Sequence, residues 1–142
     1  METSDVRRRL RGAIEQAKRR AADRRAVADE ASRVWAERLP EAIVPAFQAV
    51  LNVLSGDGFK FSLSTPGEAA RLSSDRSSAE FVEVALDTSR ELPAVIVRST
   101  RGRGSRTIES ERVVAEGPEI AELTQDAVIG VLIEEIVPFI ER

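Results

Sequence analysis

The sequence predicts an α+β fold: two N-terminal helices, the first unusually long, an antiparallel meander of about five strands, and an apolar C-terminal helix packed on the sheet. Three observations predict it. Residues 4 to 38 hold no proline and one glycine, Gly12, among abundant alanines. From Phe59 onward, apolar residues alternate with polar ones between short clusters of Gly, Pro, Ser and Asp. After Gly117-Pro118 the chain closes on a run dominated by Val and Ile.

The first helix is expected over residues 4 to 38, with Ser4 or Asp5 as its N-cap. Leu10, Ile14, Ala17, Ala21, Arg24, Ala28, Ala31 and Trp35 recur at steps of four and three, which makes a heptad seam of mostly small residues. Pro40 marks the end of this helix or the N1 position of the next. A second, more apolar helix follows through Ile43, Phe47, Val50 and Leu54, closed by Ser55-Gly56-Asp57-Gly58.

The strands are placed in turn. Phe59, Phe61 and Leu63 alternate with Lys60, Ser62 and Ser64. Ala69 to Ser73, Glu80 to Asp87, Ala94 to Thr100 and Arg106 to Ala115 follow, with short connections that favour antiparallel neighbours. The serine-rich segment Ser73 to Ser78 is read as a turn, since Ser and Asp side chains satisfy local backbone donors. Thr124 caps the final helix, with Asp126 in its first turn. That helix is apolar around much of its circumference, more than one buried stripe requires. The pattern L-x-E-x-I-V-P occurs at residues 39 to 45 and again at 132 to 138, and is read as coincidence between two amphipathic helices.

The chain of 142 residues is the size of one domain, divided into a basic helix (1–38, a candidate assembly arm) and a compact α+β part (39–142) that form one folding unit. An aromatic fraction of 4% means that the core must be aliphatic, anchored by a few Phe residues. No Cys, His or Tyr is present, which removes disulfides, thiolate metal sites and the usual neutral-pH bases. No Ser-x-x-Lys spacing offers a dyad. No catalytic residue, cofactor site or metal site is therefore assigned; the nearest set of oxygen ligands, Glu116, Glu119 and Glu122, reads as surface acid. No leader or membrane-spanning run is expected, and these absences favour the cytoplasm.

The net charge of −3 conceals an asymmetry. Residues 7 to 25 carry nine basic side chains against Glu15 and Asp23, whereas residues 116 to 142 carry seven acidic ones against Arg142. Such ends attract each other within or between chains. Arg98, Arg101, Arg103 and Arg106 surround Gly102 and Gly104; the segment reads first as a hairpin loop kept soluble by arginine, with both glycines supplying positive φ, and second as a candidate anion site in which exposed amides and guanidinium groups face phosphate. Together with the basic helix it makes nucleic acid an alternative partner, opposed by a sequence pI near 5.2 and by the scarcity of aromatic residues for base stacking.

The function expected is non-enzymatic: a protein-interaction or assembly module that self-associates. A helix over residues 4 to 38 would be about 50 Å long, whereas a compact chain of this size is about 35–40 Å across. One end must overhang. Leu10, Ile14, Ala21 and Trp35 are the candidate contacts on the first helix, and Ile133, Ile136 and Phe139 those on the last, where all three are also expected to be largely buried.

Overall fold

The computed structural model describes residues 2–141 and has the α+β architecture that the sequence predicts. Helix α1 (Thr3–Arg38) passes through a π-helical turn (Leu39–Ile43) into α2 (Val44–Gly56). Strands β1 (Phe61–Ser64), β2 (Ala70–Ser74), β3 (Phe81–Asp87), β4 (Ala94–Arg103) and β5 (Arg106–Glu116) form one antiparallel sheet in chain order. A 3-10 turn (Gly117–Glu122) leads to α3 (Gln125–Glu141).

The junction of α1 and α2 differs from the expected break. Pro40 and Pro45 lack the N–H donors that a continuous α-helix needs. The chain widens instead of stopping: the Val44 N–H bonds to the Leu39 carbonyl, five residues back. The N-cap also shifts. Glu2 occupies it, without a side-chain bond, in place of Ser4 or Asp5. The helical run Thr3–Gly56 contains an 18-residue window with a mean hydropathy of 1.2, long and apolar enough to cross a membrane by length and composition alone, where no such run was expected. Its apolar residues Ile43, Ala46, Phe47, Val50 and Leu54 build the core of the domain.

That core lies between one face of the sheet and the helices. Leu72, Val82, Val84, Val95 and Val97 project from the strands toward Trp35, Phe47, Leu132 and Ile136. Phe61 and Phe139 meet edge to face, with ring centroids 6.0 Å apart. Trp35 is fully buried, and its indole N–H donates to the Glu68 carbonyl at 2.6 Å. Arg38 donates to the Leu123 carbonyl at 3.1 Å, tying α1 to the start of α3. Thr124 caps α3 as expected, its hydroxyl accepting from the Ala127 N–H at 3.2 Å.

Strand boundaries move by small amounts. Phe59 lies outside β1 and is exposed. The connection between β4 and β5 is shorter than the sequence implies. Arg101 to Arg103 extend β4, Arg103 pairs with Arg106, and only Gly104 and Ser105 make the turn. Gly104 has φ +62°, the value that a type II′ hairpin asks of its first central residue, while Gly102 has an ordinary strand φ and supplies no turn. At the end of β5, Gly117 has φ +55° and would place a Cβ 3.1 Å from Leu92, so glycine is required there.

Candidate interaction surfaces

The first surface is the N-terminal part of α1. A helix of 36 residues is about 54 Å long. Its last third packs on the body: Ala28 and Ala31 are half-buried and Trp35 is buried. Residues 2 to 20 are exposed on every side. The arm therefore ends near Ala21, against the segment between β3 and β4, and the body begins well before residue 39. Trp35, expected at an interface, belongs instead to this chain's own core, where its ring packs with the buried cluster and its indole N–H is satisfied by the Glu68 carbonyl of the β1–β2 turn. Ala21 is half-buried at the edge of the body. Leu10 and Ile14 are uncovered, at 58% and 44% exposure, and Val6 joins them one turn earlier. At 100° per residue, Val6, Leu10, Ile14, Ala17 and Ala21 occupy one stripe, the same face that carries Trp35 into the core. Basic side chains flank this stripe. Arg7, Arg11, Lys18 and Arg25 lie along one border, and no carboxylate of the described residues forms an ion pair with them.

The second surface lies between α2 and α3. The two helices run side by side in the same direction, with Arg38 and Leu123 joined near their starts and Phe59 beside Phe139 and Ile140 near their ends. Between them is a groove of about 420 Å³ whose exposed walls are Val53, Phe59, Ile133, Val137 and Ile140, with Asp57 at its end. Of the three residues expected on this helix, only Ile133 is exposed. Ile136 and Phe139 turn into the core, since Ile136 follows Leu132 by four residues and Phe139 follows Ile136 by three, which keeps all three on the inner face. Val53 was not singled out in the sequence, and Phe59, expected in the first strand, lies outside it and lines this surface instead.

The third surface is the β4–β5 hairpin, and here the four arginines do not converge. Arg98 lies on the open face of the sheet, in a row that crosses four strands. Arg71, Glu83, Arg98 and Glu111 stand opposite one another in register. Arg71 meets Glu83 at 2.9 Å, and Arg98 reaches both Glu83 and Glu111 at 3.9 Å. Arg71 also covers the Phe81 ring at 4.1 Å. Arg101, Arg103 and Arg106 occupy the opposite face, as strand alternation demands. The amide that was to face phosphate already has a partner: the Gly102 N–H donates to the Glu80 carboxylate at 3.2 Å. Pairing of Arg71 with Glu83 and of Arg98 with Glu111 was not read from the sequence because it depends on strand register.

Other features of the sequence resolve locally. Ser74 and Ser77 hydroxyls accept from the Arg76 and Ala79 amides, so the serine cluster makes turns. Glu119 accepts from the Glu116 N–H. Among the described residues, no three acidic side chains are grouped closely enough to hold a metal ion. Asp87 is held below the ordinary carboxylate range by hydrogen bonds from the Ser89 hydroxyl and amide, with a smaller contribution from Arg90. Arg90, in the loop that faces Ala21, also reaches Glu111 at 3.6 Å.

No family model matches the chain, and no curated protein or solved structure matches it.

Proposed function

We propose that the protein is a non-enzymatic assembly module that self-associates. The observation that carries this reading is the uncovered seam on the N-terminal arm: a stripe of aliphatic side chains continuous with the core but extending beyond it. The accessible area points the same way. The chain exposes 9032 Å², where a compact monomer of 15.6 kDa exposes about 7,200 Å². A standard interface buries about 800 Å² per partner, less than this excess. Sedimentation velocity over a range of micromolar concentrations tests the reading. Species heavier than 15.6 kDa, dissociating on dilution, are expected; a monomer at every concentration would overturn it.

A second reading is binding of anions or nucleic acid through the arm, favoured by Arg7, Arg11 and Lys18, which form no ion pair among the described residues. In that case Arg7, Arg11 and Lys18, rather than Arg98, carry the contacts, and affinity falls steeply with salt as counterions are released. Absence of binding to duplex or single-stranded nucleic acid at low salt removes this alternative.

A further inference from the structure

Two apolar surfaces of this chain are uncovered, and each has the form that the other requires. We propose that the arm of one copy, through Val6, Leu10 and Ile14, lies in the α2–α3 groove of a second copy; this rests on the self-association reading and names its contact.

Shape is the first argument. An amphipathic helix laid in a groove presents its anchors along one face, at steps of three and four residues. Val6, Leu10 and Ile14 have that spacing and span about 12 Å. The groove runs beside α3 from Ile129 to Ile140, about 17 Å. A third helix seated there covers Val53, Ile133 and Val137, which nothing in the chain itself covers.

Charge is the second. Helices α2 and α3 carry Asp126, Glu134, Glu135 and Glu141 and no basic residue among those described. Glu134 and Glu135 are engaged by Arg112 at 2.7 and 2.9 Å. Asp57 remains in the wall of the groove, and Asp126 lies in the first turn of α3, before Ile129. Both helices also end at the same side, which brings two negative dipole ends together. The arm brings nine basic side chains against two acidic ones over residues 7 to 25. Arm against arm would instead set nine cations against nine, so the charge disfavours a simple coiled-coil pair of arms.

The third argument fixes the contact as one between copies. Arm and groove lie at opposite ends of one helical run. Thirty-nine residues separate Ile14 from Val53, about 58 Å along a straight helix. Leu10 and Ile14 stand clear of their own body. A head-to-tail contact of this kind builds rings or open chains unless two copies exchange arms reciprocally.

The chain has no cysteine, which makes a direct test simple. Full-length Leu10→Cys and Ile133→Cys chains are mixed under mild oxidation and compared with each variant alone. Docking raises the local concentration of the two thiols from about 10 micromolar to about 1 millimolar, so the mixed disulfide is expected about a hundredfold faster than either self-disulfide. Wild-type chain that assembles in the centrifuge while Leu10→Cys pairs only with itself overturns the docking and leaves self-association standing. Wild-type chain that stays monomeric and forms no mixed disulfide overturns both. A monomer whose arm is shielded from protease by a short DNA duplex, but not by its own concentration, overturns the docking in favour of nucleic acid. Ile133→Asp and Leu10→Asp, measured by sedimentation, give a second readout: each alone is expected to reduce assembly, and their far-ultraviolet circular dichroism shows that both remain folded.

Discussion

Residues 28 to 38 and residues 3 to 20 belong to the same helix and carry the same four-and-three spacing of apolar residues, yet only the later stretch packs on the body of its own chain. Ala28, Ala31 and Trp35 meet the 3-10 turn, the β1–β2 turn and the core. Leu10, Ile14 and Ala17 point the same way and meet solvent. A heptad seam therefore records which face of a helix is to be covered, not what covers it. The sheet is about as wide as its five strands, and the helix is longer than that body. Where the body stops, the same pattern becomes a surface.

The comparison is broken most severely at Trp35. Trp35→Ala empties the largest buried site on α1 and strands the Glu68 carbonyl; a loss of about 3–5 kcal/mol is expected in urea unfolding. A loss below about 1 kcal/mol would place Trp35 outside the core. Helix α3 repeats the contrast within four residues. Ile136→Ala is expected to cost about 2–5 kcal/mol, and Ile133→Ala, measured at a concentration where the chain is monomeric, about 0.5 kcal/mol or less. Equal losses for the two would show that the groove is filled in the monomer.

Smaller effects sharpen the account of the body. Glu83→Ala leaves Arg71 and Arg98 facing each other in the cross-strand row, and about 1–2 kcal/mol is expected because the Glu83 carboxylate is nearly buried and charge-bonded. The same row predicts a smaller change for Glu111→Ala, whose carboxylate is 43% exposed. On the arm, Ile14→Ala is expected to change monomer unfolding by less than about 0.5 kcal/mol while weakening association. The smallest effect is at Asp87. Its pKa is lowered in the folded chain, so its contribution is fully present above the ordinary carboxylate value and is lost as pH falls through the lowered one. Ser89→Ala removes the largest cause and should return the Asp87 pKa toward its ordinary value in an NMR titration.

Most of the fold was legible because the elements differ in period. Alanine-rich four-and-three spacing marked α1, and strict alternation marked the strands, whose order follows from short connections. The departures have local causes. Two prolines five residues apart were read as a boundary, but a π turn accommodates both missing donors. Arg101 to Arg103 read as a loop because Gly102 and Gly104 are poor strand formers, whereas pairing with β5 through Thr107 and Ile108 holds them in the sheet. The site was less legible. Leu10 and Ile14 are uncovered, Ile133 is exposed where burial was expected, and Trp35, Ile136 and Phe139 face inward. Spacing identifies an apolar face, and only the extent of the body decides whether that face lies inside or out. The arginine cluster failed as a group for a simpler reason: alternation sends Arg98 to one face of the sheet and Arg101, Arg103 and Arg106 to the other.

Hydrogen exchange of the full chain, followed peptide by peptide at several protein concentrations, bears most directly on the contrast between the two halves of α1. Residues 28 to 38 are expected to be protected at every concentration, because their cover belongs to the same chain. Residues 6 to 17 are expected to exchange rapidly when dilute and to gain protection as concentration rises, together with residues 129 to 140 of α3. Exchange from residues 6 to 17 that stays rapid and independent of concentration, beside a protected body, would contradict the claim that this seam is covered by assembly.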